Sequence, residues 1–515
     1  MKINLRKDLP RWLTMLGLLV FFILAARGMN TQDWVITLLR GLSVGSVTFL
    51  VASGFSLIFG LLDVLNMAHG TMFMIGAYLA WTVYVRPDTF VDLLAPIMLL
   101  LSGFTLSVVW KRVVKELRGK GKWLPVLRWL GLALSLVVLI YVLPRYPITI
   151  WDVGNYSQSP VTYSYLADQG LINLPPGLAF DEISPVFAVI GLWLASLLGA
   201  FSLSTFGGRS QVAVTLRWKD LGVYLAMVVL GLAALIFNDQ LTGFLTGLDT
   251  TWLFLISLGV GVMVGVLLGS VMEATLIRPL YDRPIYQLML TLGLSAIGIE
   301  VVRAIWGRPE FVMPKPSLFA GTGEGCPATS LADLLTNRCS TMMVFDGRIR
   351  VYNEIFIPLI GVLVLISIWI LLQRSRLGMI IRAGVQDREM VEALGINVQR
   401  VFNIVFAMGV GLAVLGGGLA APSMGLSNVM GETLILNALI ALAIGGLTNF
   451  PGAALGSLLV GLLQQVIIKY GAIGIPIPFT EIVFKPTPPL VPASTVLLMV
   501  FVLLILPNGL LGRKE

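Results

Sequence analysis

The chain has 515 residues, 57% of them hydrophobic and only 12% charged, with a formal net charge of +8 and a mean hydropathy of +0.91. That composition excludes the soluble globular class. Its apolar runs are continuous rather than alternating, which excludes a β-barrel and predicts an all-α, polytopic helical membrane protein. The basic residues gather in particular loops, as the positive-inside rule expects of cytoplasmic loops, so the charge is no nucleic-acid footprint.

In chain order, Lys2, Arg6, Lys7 and Arg11 precede an apolar run from Trp12 to Ala26, which we expect to be an uncleaved first helix. A second span, Trp34–Gly60, carries Gly41, Ser43, Gly45, Ser46, Ser53, Gly54 and Ser56, a small-residue face suited to close helix packing. The next stretch, Leu61–Gly76 (LLDVLNMAHGTMFMIG), places Asp63, Asn66 and His69 three apart, hence on one face if the helix continues, with Gly70 interrupting it. Polar groups at membrane depth survive only when they face protein or a water-lined path. Asn66, His69 and Gly70 therefore either line a translocation route or form a hydrogen-bond cluster that holds a bend.

Four further spans are expected at Leu93–Trp110, Trp123–Leu143, Ser184–Phe206 and Leu221–Phe237. The basic connections Lys111–Lys122 and Gly207–Lys219 should lie inside, and the lysine-free connection Pro144–Glu182 outside. Leu253–Ile277 is a glycine-rich span followed by Arg278-Pro279-Leu280. Leu288–Trp306 contains Glu300 with Arg303 three residues on, either an ion pair along one helix face or a carboxylate facing a route. Cys326 and Cys339 share the polar loop Gly307–Glu354, and spacing leaves a disulfide and two free thiols equally open. With one histidine and no C-x-x-C pair, no metal site is expected.

Beyond the span Ile355–Leu372, residues Arg374–Arg400 form a long polar interruption in the second half. Ile380, Ile381, Val385, Met390, Val391, Leu394 and Ile396 give it a partial helical face, while Arg382, Asp387, Arg388, Glu389 and Glu392 fall elsewhere. Gly395 is a stop signal and Asn397 stands where a cap for the next helix is needed. After Val401–Ala421, the run I-G-G-L-T-N-F-P-G-A-A-L-G within Ala438–Leu458 holds Asn449, Pro451 and Gly452, of which the last two would interrupt a helix. A last span is expected at Val496–Leu506. The count comes to about fourteen spans (roughly twelve to fourteen), with both termini cytoplasmic.

The run R-A-x-x-x-D-x-x-x-x-x-A-L-G-I-N-x-x-R-V, from Arg382 to Val401, resembles the coupling loop of LivH-type permeases, membrane subunits of branched-chain amino acid ABC importers. Glu392, Ala393, Leu394 and Gly395 also resemble part of the broader E-A-A-x-x-x-G loop. Leu65–Gly70 resembles that family's L-N-F-A-H-G, with Met67 replacing phenylalanine. Arg278-Pro279-Leu280, the glycine-rich run around Asn449 (with Leu447 replacing one glycine) and the terminal L-P-N-G-L-L-G-R-K-E are similar to its other landmarks.

The resemblance implies a permease core in residues 1–83 and 252–515, a coupling loop at 374–400, and a family-atypical insertion of about four helices at 84–251. It implies ATPase coupling through Arg382, Asp387, Glu392, Ala393, Leu394, Gly395 and Asn397. Route candidates are Asn66, His69, Gly70, Glu300, Asn449, Pro451 and Gly452. The implied partners are a second, LivM-like permease, two cytoplasmic ABC ATPases, a periplasmic solute-binding protein and membrane lipid, in a bacterial inner membrane. No G-x-x-x-x-G-K-[ST] is present, so no cofactor is expected on this chain and ATP would be bound by the partner subunits. The implied cargo is a branched-chain or related small amino acid, with urea and short amides as the family's alternative. An ion-coupled carrier is the competing class, although Asp63, His69, Glu300 and Glu432 are few ionisable groups for such coupling.

Overall fold

The computed structural model describes residues 5–120, 124–148, 150, 156, 159–163, 180–205, 218–386, 388–476 and 483–512. Helix dominates these residues, and ten of their helices are long and apolar enough to cross a membrane, or eleven if one bent pair counts as a single span. The chain divides into two compact units, one of Met1–Trp81, Val161–Asp168 and Thr250–Glu515, the other of Thr82–Pro160 and Gln169–Asp249.

The first unit begins with α1 (Leu5–Arg27) and α2 (Thr31–Leu62). At 1.5 Å per residue the 32 residues of α2 extend about 48 Å, well beyond a hydrocarbon core of about 30 Å. The helix does not continue to Gly70. Asp63 takes the left-handed conformation (φ 54°) while its N–H closes the last turn on Phe59, and α3 (His69–Val85) starts only at His69. Asp63, Asn66 and His69 therefore do not share a helix face. The reason is local: the Asn66 side-chain oxygen accepts from the Ala68 N–H (3.1 Å) and its carbonyl accepts from the His69 N–H (3.2 Å), a turn that competes with helix.

The second unit holds α4 (Pro87–Thr105), α5 (Ser107–Lys120), α6 (Leu124–Val142), α7 (Pro185–Ser204), α8 (Trp218–Ile236) and α9 (Asn238–Gly247). Its core joins Ala95 and Leu99 of α4 to Val142, Ala188, Leu192 and Ala234. The basic run Lys111–Lys122, expected to be a connection, is helical as far as Lys120; Arg112 and Glu116 pair across one turn of it. Helices α8 and α9 meet at a bend of 78°.

The first unit resumes with α10 (Thr250–Met272), whose helix widens into a π-turn at Glu273–Ile277, then α11 (Pro284–Trp306) and a loop holding α12 (Leu331–Asn337) and the hairpin β1–β2 (Thr341–Val344, Gly347–Arg350). In that loop a disulfide joins Cys326 to Cys339, closing the question the spacing left open. There follow α13 (Ile357–Arg374), α14 (Arg376–Gln386), α15 (Arg388–Ala393), α16 (Val398–Met424), α17 (Met430–Gly445), α18 (Phe450–Ile473) and α19 (Leu490–Ile505). The two-residue strands β3 (Ile475–Pro476) and β4 (Val483–Phe484) pair between the last two helices.

Helix packing in this unit is close because glycines remove the side chains that would hold backbones apart. Gly54 of α2 and Gly409 of α16 face each other so tightly that a methyl on either would meet the other's carbonyl oxygen; Gly70 and Gly431 do the same between α3 and α17. Gly417 of α16 leaves no room for a methyl against the Phe73 carbonyl, whereas Gly259 of α10 faces open space. Replacing Gly417 by Ala should therefore lower the stability of the detergent-solubilised chain by about 1–3 kcal/mol. Gly259→Ala should be neutral or slightly stabilising. Thermal melts of the two variants against the parent check the contrast.

Candidate functional site

The C-terminal end of α2 gathers three features that lie far apart in sequence. One is the chain break Asp63–Ala68 that directly follows it. The second is the break between α17 and α18, where the Ser56 hydroxyl donates to the Leu447 carbonyl (3.3 Å) and Gly60 lies against Thr448. The third is the polar stretch after α13, whose buried residues Val391, Val398 and Phe402 pack with Leu62, Tyr281, Ile380 and Ile396.

At the first break the chain turns back along α2. His69 sits at the level of Val51 and Phe55, with its ring Nε2 hydrogen-bonded to the Val51 carbonyl (3.2 Å) and its edge against the Phe55 ring. Asn66 and His69 are fully buried, and the Asn66 Nδ2 and His69 Nδ1 atoms have no hydrogen-bond partner among the described residues. A row of hydroxyls from α11 faces this segment. Thr291 accepts from the Met67 N–H (3.2 Å) and Ser295 shares a hydrogen bond with Thr71 (2.5 Å), while Gly298 meets the Thr71 methyl. Thr291, Ser295 and Gly298 repeat at helical spacing, so one face of α11 closes on the break. Their i, i+4 hydroxyls were the sequence signal for this face, hidden because the same span carries the more conspicuous Glu300.

Glu300 stands two residues beyond Gly298, about 200° around the helix, and is kept apart from Asn66 and His69. Its carboxylate is 65% exposed and bound to Arg303 at 2.6 Å. The ion-pair reading of the sequence describes its position.

At the second break the backbone turns at Gly446 (φ 112°), and Asn449 caps α18 by accepting from the Gly452 N–H (3.3 Å). Pro451 lies in the first turn of α18, where its missing N–H costs nothing. Gly445 and Gly452 face each other without room for a methyl on either. The chain's last described residues clamp the break: Leu510 and Leu511 donate to the Ile444 and Gly445 carbonyls (2.8 and 3.0 Å), and the Asn449 amide donates to Leu511 (2.6 Å). Arg11 reaches the Gly512 carbonyl from α1. The two glycine-rich sequence landmarks are thus halves of one structure.

The polar stretch folds as α14, α15 and a glycine exit. Gly395 has φ 82° and its N–H closes on the Glu392 carbonyl (2.9 Å), while Asn397 caps α16 by accepting from Arg400 N–H (3.0 Å). Glu392, Ala393, Leu394, Gly395 and Asn397 are exposed together at the apex, with Leu394 at 73%. Arg382 donates to the Leu372 carbonyl, tying α14 back to the end of α13. Asp387 lies outside the described residues.

Beside this stretch stands a group that sequence reasoning missed. Glu273, 0% exposed, receives two bonds from Arg278 (3.1 and 2.6 Å), one from the Tyr281 hydroxyl (2.8 Å) and one from the Asn403 amide (2.7 Å). A single carboxylate at the end of an apolar span just before Arg-Pro-Leu was the available signal.

The family described as "Branched-chain amino acid transport system / permease component" matches residues 211–507, more than half of the chain. The high-affinity branched-chain amino acid transport system permease protein BraD of Pseudomonas aeruginosa is 26% identical over 358 residues, 69% of this chain and 98% of BraD. The corresponding LivH protein of Escherichia coli is 25% identical over 272 residues, 52% of this chain and 78% of LivH. A probable LivH of Methanocaldococcus jannaschii is 24% identical over 257 residues, 50% and 74% of the two chains. No solved structure matches.

Removing the Asn449 side chain should loosen the clamp. Asn449→Ala deletes a helix cap worth about 1 kcal/mol and the bond to Leu511. Amide exchange should accelerate at Gly446, Leu510 and Leu511, with the α2–α16 contact unaffected; hydrogen-exchange mass spectrometry reads this directly.

Proposed function

Because the chain belongs to the family of permease components of the branched-chain amino acid transport system, as a LivH-type permease, we propose that it carries a branched-chain or related small amino acid through a bacterial inner membrane as part of an ATP-driven importer. The reading adds a second, LivM-like permease, two cytoplasmic ATPases that bind the ATP and a periplasmic binding protein that selects the solute. It sets fourteen spans, counting the bent pair and the shorter helices α3, α17 and α19, with both termini in the cytoplasm. Residues 84–251 are then an insertion into the permease core, a division supported by the compactness of the second unit.

The observation that carries this reading is the exposed apex Glu392–Asn397 standing on the buried anchor Val391, Val398 and Phe402, which also holds the end of α2. ATPase closure would push the apex, the anchor would move Leu62, and the break at Asp63–Ala68, with Asn66, His69 and Gly70, would open or shut. The second break, with Asn449, Pro451 and Gly452, abuts the same helix end and would move with it. In this reading Arg382 and Asp387 belong to the same coupling segment.

Two experiments test the proposal. The chain should co-purify with ABC ATPases, and in liposomes with the binding protein a branched-chain amino acid should stimulate ATP hydrolysis. Stimulation by urea or a short amide instead would move the cargo to the family's other class. Uptake that needs no ATPase but collapses with the proton gradient would place the chain among ion-coupled carriers. A methyl on Gly395 would meet nothing within 4 Å, so the first strain a side chain brings there falls on the left-handed turn. Gly395→Phe should insert and assemble normally while transport per ATP falls about tenfold, within the usual range of coupling energies.

A further inference from the structure

Glu273 and Arg278 are five residues apart, which in an α-helix places them about 140° apart around the axis. The π-turn Glu273–Ile277 widens the helix at this point and brings the carboxylate onto the guanidinium as a two-pronged pair. Such turns recur at functional positions. The pair is only part of the assembly. Asn403, on α16, donates to Glu273 and also exchanges two bonds with Ser270 of α10, donating to its carbonyl (2.8 Å) and accepting from its hydroxyl (2.6 Å). Tyr281 donates to Glu273 while its ring stands edge-on to Phe402 at 6.1 Å. Phe402 is one of three buried residues anchoring the exposed apex, and Leu62 packs into the same cluster.

A buried carboxylate with four donors is geometrically stiff, since each bond is charge-assisted and the four fix it from three residues at once. Here the stiff group links three segments: the end of α10, the Arg278–Tyr281 elbow leading to α11, and the first turns of α16. Helix α11 is the one whose hydroxyl face closes on Asp63–Ala68. Resting on the transport reading above, we infer that Glu273 is the positioning residue that makes α10, α11 and α16 respond as one body to displacement of the apex Glu392–Asn397. Without it the apex would still dock and α16 would still tilt, but α11 would not follow and the break would stay closed.

The test uses the assembled complex with Glu273→Gln, which keeps the shape and removes the charge, and Tyr281→Phe, which removes one hydroxyl and leaves the ring against Phe402. Both variants should assemble and hydrolyse ATP. Solute moved per ATP should fall about tenfold for Glu273→Gln and less for Tyr281→Phe. An unchanged ratio, or transport and hydrolysis falling in the same proportion, overturns the assignment. A second measurement needs no ATPase: in the isolated chain, Glu273→Gln should accelerate exchange of the Leu394, Gly395 and Ile396 amides. Unaltered protection there overturns the joint whatever the complex does. If instead the parent chain binds no ATPase, the transport reading fails, and the exchange result still decides whether the joint exists.

Discussion

The structure depends on helices meeting backbone to backbone. In lipid an apolar side chain gains little by leaving hydrocarbon for another apolar surface, so association rests on close packing and polar contacts. Gly54 against Gly409, Gly70 against Gly431, Gly445 against Gly452 and Gly461 against Gly41 and Gly45 link α2, α3, α16, α17 and α18 at distances no side chain permits. Each is a contact between carbonyl and Cα that cannot be stretched gradually. A unit joined this way moves as a body or changes at its breaks, and the two breaks stand at one end of α2.

Polar groups in the same unit divide into two kinds. Those around Glu273 satisfy one another: four donors on the carboxylate, and Asn403 matched twice with Ser270. Those at the first break do not, since Asn66 Nδ2 and His69 Nδ1 are buried without partners among the described residues. An unmatched buried donor or acceptor costs about 1–3 kcal/mol, which a purely structural bend could have avoided with apolar residues. The satisfied network ties three segments together, whereas the first break keeps two buried polar side chains that the described residues leave unmatched.

Local signals carried the sequence reading furthest. Gly395 as a helix stop, Asn397 as a cap and the all-helical membrane class each follow from a few residues and their backbone preferences, and the structure has them, whereas Pro451 and Gly452, expected to interrupt a helix, lie in the first turn of α18 just after the break. What the residues could not announce were the meetings. Periodicity placed Asp63, Asn66 and His69 on one helix because it weighs spacing and not the Asn66 turn that ends the helix sooner. It described Lys111–Lys122 by charge and overlooked that Arg112 and Glu116 support one another along a helix. Glu300 drew attention as an acid in an apolar span, yet Glu273 is the buried one; telling them apart requires knowing which face of each helix is covered. The contact of the chain's last residues with the α17–α18 break joins segments some sixty positions apart, beyond any window of local pattern.

Most exposed apolar residues here lie along helices of spanning length, where hydrocarbon is their natural solvent. Leu394 and Met390 are different. They are exposed on the short helix α15 and its glycine exit, with Glu392 and Arg400 exposed nearby in sequence, so burial in lipid would carry charged neighbours along. A small apolar tip within a polar rim is the pattern of a protein contact, in which one or two anchors fill a pocket and the surrounding charges set orientation. The left-handed Gly395 holds that tip at a sharp angle, and the buried anchor beneath it joins Leu62 and Tyr281. Side chains of one buried cluster thus connect the base of the tip with the end of α2 and the elbow before α11. In the transport reading proposed above, a partner gripping this one segment acts on both sides of the first break at once.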